Sequence, residues 1–270
     1  MAENDTGFAG SIPEIYDTYL VPLIFEAFAN DLAGRTAELS PKAILETAAG
    51  SGVVTRILAS RLGTDARYIV TDLNQAMLDH AAAKQDADER ITWQQADALS
   101  LPFEDASFDA VVCQFGVMFF PDKVSGYAEA RRVLKPGGSF LFNVWDQISE
   151  NEFAHAVTEA AATVFPDDPP QFLARAPHGY HDVEQIRDDL TRAGFSQIAV
   201  TTLEETSTAL SPRHAATAYC EGTPLRNEIE ARDAGLLSHV TERATEAIAA
   251  RFGEGPVAGK IRGHVIVASG

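Results

Sequence analysis

The stretch ILETAAGSG at residues 44–52 decides the fold of this chain. A short apolar run ends in the acid Glu46 and a turn of small residues, and the amphipathic run VVTRIL follows at residues 53–58. This order predicts a strand, a tight loop and a helix. Small residues in the loop would let a ligand touch the backbone.

A second acid stands at the right distance for a nucleotide-type ligand. Asp72 follows the β-branched run YIVT at residues 68–71 and lies twenty residues after Gly52. A doubly wound sheet holds an adenosine with a glycine turn after one strand and a carboxylate after the next, which binds the ribose hydroxyls. The spacing therefore predicts a cofactor that contains adenosine.

The loop favours S-adenosylmethionine over a dinucleotide. A nicotinamide or flavin dinucleotide needs G-x-G-x-x-G/A, but the third position here is Thr55, or Val53 in the frame that starts at Ala48. Glu46 would repel a pyrophosphate, whereas it suits a ligand with an ammonium group and no phosphate. An NAD(P)-dependent oxidoreductase is therefore the less favoured alternative.

These residues resemble the class I S-adenosylmethionine-dependent methyltransferases, in particular their small-molecule (type 11) branch. The resemblance covers roughly residues 40–147. It implies an α/β fold, a doubly wound Rossmann-like sheet that is mostly parallel with an antiparallel last strand, and helical cap segments. The motifs that carry it are Glu46-x3-Gly50-x-Gly52, Asp72, Ala96-Asp97-Ala98, Gln114-Phe115-Gly116 and Arg132-Val133-Leu134-Lys135-Pro136-Gly137-Gly138.

The resemblance also implies a set of cofactor-binding residues. Asp72 would bind the ribose, Leu73 and Met77 would flank the adenine, and Asp97 and the Ala98 N–H would bind its amino group and a ring nitrogen. The remaining candidates are Glu46, Ala48, Gly50, Gly52 and Gln114, with Tyr16 and Tyr19 over the methionine end.

Structural alternatives stay open for several of these candidates. Asp72 could cap the next helix, Glu46 could be a solvated acid, and Met77 and the two tyrosines could be packed in the core. Ala48 replaces the loop's usual first glycine, which matters only if the backbone there needs a positive φ.

The predicted activity is methyl transfer to a small-molecule O, N, C or S nucleophile, without a metal and with S-adenosylhomocysteine as product. DNA-adenine and glutamine methyltransferases have an Asn/Asp-Pro-Pro-aromatic step where this chain has Gln114-Phe115-Gly116-Val117. Cytosine-C5 enzymes need a Pro-Cys nucleophile, whereas Cys113 follows Val112. Proximity and orientation would supply most of the rate. The favoured candidate general bases are His178 and His181 in a Pro/Gly-rich loop. The less favoured candidates are His155, Tyr16 and Tyr19.

Composition limits the partners. The chain has 270 residues, 39 acids against 21 basic residues and a formal net charge of −18. A nucleic-acid-binding protein neutralises phosphates with Lys and Arg, so nucleic acids and anionic membranes are poor candidates. The polar N-terminus at residues 1–5 lacks a signal-peptide pattern, which predicts a cytoplasmic protein.

The chain is predicted to form a single methyltransferase domain of residues 1–270. The Rossmann-like core comprises about residues 37–147, 182–204 and 236–270, and the cap comprises residues 1–36, 148–181 and 205–235. Pro22 is expected to break or kink the first helix, and the Pro-Gly-Gly step at residues 136–138 to separate a helix from a strand that starts at Ser139. A non-catalytic module that binds the cofactor or its product and regulates a partner is the alternative to an enzyme.

Overall fold

The computed structural model describes residues 12–270, with only the backbone for Ile12 and Pro13. The polar segment 1–5 and the first eleven residues of the predicted cap lie outside the described residues. The strands are β1 (Ala43–Glu46), β2 (Arg67–Asp72), β3 (Ile91–Gln95), β4 (Phe108–Gln114), β5 (Leu134–Trp145), β6 (Gln197–Ala209) and β7 (Val257–Ser269).

Eleven α-helices connect and flank the strands within the described part of the chain. They are α1 (Ile12–Ile15), α2 (Glu26–Glu38), α3 (Val53–Ala59), α4 (Gln75–Lys84), α5 (Lys123–Val133), α6 (Glu152–Val164), α7 (Phe172–Arg175), α8 (Val183–Arg192), α9 (Pro212–Glu221), α10 (Leu225–Asp233) and α11 (Leu237–Phe252). A π-helical segment, Tyr16–Phe25, lies between α1 and α2. Among residues 12–270, no helix combines the length and the apolar character needed to cross a membrane.

The seven strands form one sheet in the order β3-β2-β1-β4-β5-β7-β6. Strand β1 pairs in parallel with both β2 and β4, while β7 is antiparallel. The predicted Rossmann-like fold is therefore confirmed. Because the chain runs outward from β1 in one direction and from β4 in the other, the carboxyl ends of these two strands form the topological switch point where such sheets bind ligands.

The chain divides into two compact units. The core unit comprises residues 27–144, 181–203 and 264–270, and the helical unit comprises, of the described residues, 12–26, 145–180 and 204–263. Strands β6 and β7 each contribute residues to both units. Residues 236–263, which include α11, fall in the helical unit, although the sequence predicts them in the core. The roles of core and cap stay a prediction.

The core unit is organised around β1 and β4, whose apolar side chains are fully buried. Large buried aromatic side chains pack beside them, with the ring of Phe142 5.3 Å from Tyr127 and 4.8 Å from Phe140. Burying several such rings supplies much of the stability of a sheet–helix layer. This packing fixes the carboxyl ends of the strands.

The Pro-Gly-Gly step acts as a bulge rather than as a gap between elements. Helix α5 ends at Val133 and β5 begins at the next residue, so the predicted start at Ser139 is wrong. Leu134 pairs with Phe108, and the pairing resumes only at Ser139 with Ala110. The proline cannot donate to the ladder, which explains the irregular register.

Proline 22 does not end the first helix of the helical unit. It lies inside the π-helical segment, where the N–H of Glu26 donates to the carbonyl of Val21, five residues earlier. Proline cannot make the ordinary i→i−4 bond, and the wider turn accommodates it. The expected break is therefore replaced by a local change of helix type.

Candidate cofactor-binding site

The loop after β1, residues 47–52, is held by both neighbouring strands. The N–H of Thr47 donates to the carbonyl of Val112 at 2.9 Å, and the N–H of Ala49 donates to the carbonyl of Thr71 at 3.0 Å. Gly50 and Gly52 have φ of +56° and +75°. Only glycine adopts such angles without strain, so these two residues are explained by the turn.

Residue 48 is an alanine at a position where the loop usually has a glycine. Its φ is +51°, so the backbone here does adopt the positive φ that disfavours alanine. A left-handed alanine costs about 1 kcal/mol. The strained residue also packs tightly, since a Cβ added at Gly116 in the turn after β4 would lie 2.5 Å from the Cβ of Ala48.

Asp72 ties this loop to the end of β2. Its Oδ2 accepts the N–H of Gly50 at 2.8 Å, and its Oδ1 accepts the N–H of Asn74 at 2.8 Å. Asn74 is the N-cap of α4 through its bond with the N–H of Ala76. Burial raises the pKa of Asp72, against the lowering effect of its backbone bonds. The carboxylate supports the loop and retains lone pairs for a ligand.

Glu46 lies beneath the loop rather than in solvent. Its side chain is only 1% exposed. Its Oε2 accepts hydrogen bonds from the hydroxyl of Thr55 at 2.7 Å and from the phenol of Tyr68. Burial raises the pKa of Glu46 from its usual 4.5 to about 7, although both hydroxyl bonds lower it. Desolvation thus brings the pKa of Glu46 close to neutral pH.

The residues predicted to bind an adenine lie around the ends of β2 and β3. Leu73 is 57% exposed, an unusual state for a large apolar side chain, whereas Met77 is buried, with its methyl 3.8 Å from a Cβ added at Gly50. Asp97 is exposed, and its Oδ1 accepts the N–H of Leu99 at 2.9 Å. Ala98 is half-buried. The N–H of Ala96 donates to the carbonyl of Asp72, which links the two strand ends.

The turn after β4 contains two features that the sequence analysis missed. Phe115, next to the half-buried Gln114, has a φ of +49°. Its N–H donates to the side-chain Oδ1 of Asn143 at 3.0 Å, and its ring packs edge-on against Phe28 at 5.3 Å. Asn143 is fully buried on β5, and its Nδ2 has no hydrogen-bond partner. The polar Asn143 inside the apolar run FLFNVW was the available signal.

Both cysteines are buried free thiols. The thiol of Cys113 is hydrogen-bonded to the side chain of Thr47 and to the backbone of Gly116, and burial raises its pKa to about 12. A thiol in this state is a poor nucleophile. Cys113 is therefore a packing residue of the β4 end.

The remaining candidates are divided between the two units, and their roles stay predictions. Tyr16, Tyr19 and His178 are in the helical unit, where the tyrosine rings lie 5.2 Å from Phe25 and 4.8 Å from His214. The buried His178 donates from Nδ1 to the carbonyl of Asp146 at 2.8 Å. His155 lies 3.7 Å from Glu159 in the same unit. Half-buried His181 is in the core unit.

The core-unit cluster suits a cationic adenosyl ligand better than a dinucleotide. Two positive-φ glycines present backbone, Asp72 presents a carboxylate, and Leu73 presents an exposed apolar surface. The two acids Glu46 and Asp72 lie where a pyrophosphate would bring further negative charge. Within residues 12–270, no group of three or more His, Cys, Asp or Glu could hold a metal ion.

Comparisons with known proteins concern the family of the chain. Residues 45–142 match the family model described as a methyltransferase domain. The chain is 31% identical over 193 residues to the ubiquinone/menaquinone biosynthesis C-methyltransferase UbiE of Caulobacter sp., which covers 61% of the chain and 73% of that protein. It is 29% identical over 167 residues to the protein of the same name from Brucella anthropi, covering 57% of the chain and 64% of the relative's length.

The fold has a counterpart among solved structures. The YcgJ protein of Bacillus subtilis superposes with a TM-score of 0.56 at 20% identity, over 90% of this chain and 97% of that one. At this identity, the similarity concerns the fold. Together with the sequence relatives and the glycine loop, it establishes the family and its cofactor, S-adenosylmethionine. The chain belongs to the class I S-adenosylmethionine-dependent methyltransferases.

Proposed function

We propose that this protein transfers the methyl group of S-adenosylmethionine to a small-molecule acceptor. The observation that carries the proposal is the Asp72 carboxylate, whose two oxygens accept the N–H groups of Gly50 and Asn74. This arrangement joins the glycine loop after β1, at the switch point of the sheet, to an acid and an exposed apolar residue at the end of β2.

Each residue of the cluster has a proposed role toward the cofactor. Asp72 accepts the ribose hydroxyls, and the backbone of residues 48–52 lies under the ligand. Leu73 and Met77 flank the adenine, while Asp97 and the Ala98 N–H bind its edge. Glu46 and Gln114 act on the methionine end. We propose Tyr16 and Tyr19 as further cofactor contacts, and His178 and His181 as candidate bases.

The bound cofactor supplies an electrophilic methyl group on a sulfonium that is a good leaving group. The chain's own task is to hold the nucleophile in line with that methyl group and to keep water away. The positive-φ turns after β1 and β4 fix the backbone at the switch point before any ligand binds, so little reorganisation is needed. A base is required only if the acceptor atom holds its proton tightly.

We propose a ring carbon of a quinone precursor as the first acceptor to test. The support is the C-methyltransferase names of the two UbiE relatives. In the reduced, hydroxylated form of such a ring, a carbon beside a hydroxyl is electron-rich and can form a bond to the methyl carbon as the methyl–sulfur bond breaks and S-adenosylhomocysteine leaves. The ring then loses the proton from that carbon, which restores its aromaticity. The net charge of −18 disfavours nucleic acid as the acceptor.

The test combines binding with product analysis. S-adenosylhomocysteine should raise the melting temperature as its concentration increases, because it binds only the folded state, whereas NADH should not. Incubation with S-adenosylmethionine and reduced benzoquinones or naphthoquinones should add one methyl group, detected by mass spectrometry. Binding without any methylated product would support the regulatory module. A melting shift with NADH alone would overturn the methyltransferase proposal.

A further inference from the structure

We propose that Glu46, held by Tyr68 and Thr55 beneath the glycine loop, is a specificity-determining residue that favours the cationic cofactor over its neutral product. Binding of the cofactor would release more proton from Glu46 to solvent than binding of the product. The inference rests on the proposed function, since it assumes that the adenosyl ligands bind at this loop.

The first support is the position of the carboxyl group. Glu46 ends β1, and both donors that reach its Oε2 are neutral hydroxyls, those of Thr55 and Tyr68. The carbonyl of Glu46 accepts the hydroxyl of Thr71 at 2.8 Å, and the carbonyl of Thr71 accepts the N–H of Ala49. Besides preceding the loop in the chain, the acid is linked to the N–H of Ala49 through Thr71, while its carboxyl group stays buried.

The second support is the set of groups that face this carboxyl group. From β2 come Tyr68, which lowers the pKa of Glu46 through its hydrogen bond, and Asp72, whose negative charge raises it. From α3 come Thr55 and Arg56, which both lower it. From β4 comes Cys113, a buried thiol. Desolvation is the largest cause, so the carboxyl group is close to half-ionised at neutral pH.

The third support is electrostatic. S-adenosylmethionine and S-adenosylhomocysteine differ by one methyl group and one positive charge. A positive charge near a buried, half-ionised acid favours the carboxylate and lowers its pKa, so the proton leaves to the buffer. Both ligands carry the same α-ammonium group, so only the sulfonium charge makes them differ. If that charge alone lowers the pKa of Glu46 by about one unit, binding of the cofactor at pH 7 releases about 0.4 proton more than binding of the product.

Isothermal titration calorimetry in two buffers of different ionisation enthalpy tests this directly. At pH 7 the parent protein should release more proton on binding S-adenosylmethionine than on binding S-adenosylhomocysteine, by about 0.4 proton. The ratio of the two affinities should shift toward S-adenosylmethionine by about fivefold between pH 6 and pH 8. Sinefungin carries an ammonium group in place of the sulfonium, and it should behave like S-adenosylmethionine.

Two variants separate Glu46 from its surroundings. Glu46→Gln keeps an oxygen acceptor for the two hydroxyls but cannot ionise, so the affinity ratio should no longer depend on pH. Tyr68→Phe removes a bond that favours the carboxylate, so the midpoint of the pH dependence should move upward. Glu89→Gln removes an exposed acid before β3 and should keep the parent's pH dependence.

The outcomes are decisive in either direction. Equal proton release with both ligands, or a pH-dependent ratio that survives in Glu46→Gln, would overturn the inference. If Glu46→Gln does not fold by circular dichroism, the midpoint of Tyr68→Phe decides, and an unchanged midpoint rejects the role of Glu46. A parent protein that binds neither ligand would instead overturn the proposed function.

Discussion

At the scale of single residues, the two acids at neighbouring strand ends are in different states. Asp72 is tied to backbone N–H groups of the glycine loop and of α4, whereas Glu46 is enclosed among neutral hydroxyls. A carboxylate bonded to N–H groups is ready to accept ligand hydroxyls as well. A carboxyl group buried away from solvent destabilises the folded state when it ionises, so its contribution to the free energy of unfolding depends on pH.

Replacing Glu46 should make the free protein more stable at alkaline pH. The pKa of Glu46 is raised from 4.5 to about 7 on folding, so the unfolded chain loses the proton first as pH rises. The free energy of unfolding therefore falls between about pH 4.5 and pH 7, by about 3 kcal/mol in total. Glu46→Gln lacks this loss, and urea unfolding should show it to be the more stable protein at pH 8.

At about pH 4 the Glu46→Gln variant and the parent should have similar free energies of unfolding, because Glu46 is then mostly protonated in both the folded and the unfolded protein. Glu89→Gln serves as the control, since it removes an acid from an exposed position. A Glu46→Gln variant that is less stable than the parent at pH 8 would contradict the buried-charge interpretation.

Replacing Asp72 should weaken cofactor binding more than it weakens the fold. Asp72→Asn retains one oxygen acceptor but loses the charge that favours ribose hydroxyls, so S-adenosylhomocysteine should bind roughly 10- to 100-fold more weakly, or about 1.5–3 kcal/mol. Calorimetry measures the affinity. Asp79→Asn, an exposed position on α4, should bind like the parent. Equal affinity of Asp72→Asn and the parent would leave Asp72 a structural residue.

At the scale of elements, the turns after β1 and β4 pack closely against each other. Ala48 and Phe115 both have positive φ without being glycine, and Gly116 has no room for a side chain beside Ala48 and Cys113. The amide of Asn143 holds the second turn through the N–H of Phe115. Strain of this kind persists only where the surrounding structure enforces it, and it is concentrated at functional sites.

Adding one methyl group at Gly116 should therefore be costly. In Gly116→Ala the new Cβ would lie 2.5 Å from the Cβ of Ala48 and 2.8 Å from the Sγ of Cys113. Overpacking of this kind costs typically 1–3 kcal/mol, and the shifted loop should also bind S-adenosylhomocysteine less tightly. Chemical denaturation and calorimetry measure the two effects.

Gly137→Ala is the matched control for that prediction. Gly137 has a φ of +82°, but nothing lies within 4 Å of an added Cβ. Its cost should be conformational only, about 1 kcal/mol, with no loss of ligand affinity. If both variants lose equal stability and both keep full affinity, the packing of the two turns does not control the site.

At the scale of the whole molecule, the net charge of −18 should oppose the compact state. Raising the salt concentration from about 10 mM to about 150 mM shortens the Debye length from about 30 Å to about 8 Å and screens this repulsion. The melting temperature of the free protein should therefore rise with salt. Sodium chloride and choline chloride should act equally, and a fall in melting temperature with both would show that attractive ion pairs outweigh the repulsion.

The local features of the site were readable from the sequence, and their three-dimensional partners were not. The strand, loop and helix at residues 44–58 follow from short-range periodicity and small residues, and the structure has them. The bulge in β5 and the π-helical turn at Pro22 were missed, because a proline signals only that the regular pattern fails. What replaces that pattern depends on the neighbouring strand or on the packing of the helix.

By itself, the sequence determined the Rossmann-like sheet, the adenosyl cofactor and the acids at the strand ends, since these depend on residue types at fixed spacing along the chain. Only the tertiary structure decided that Glu46 is buried against Tyr68, that Ala48 needs a positive φ, and that Asn143 holds the turn after β4. It also placed Tyr16, Tyr19 and His178 in the helical unit. Burial, backbone strain and charge state arise from contacts between residues far apart in the chain, and a local pattern does not contain them.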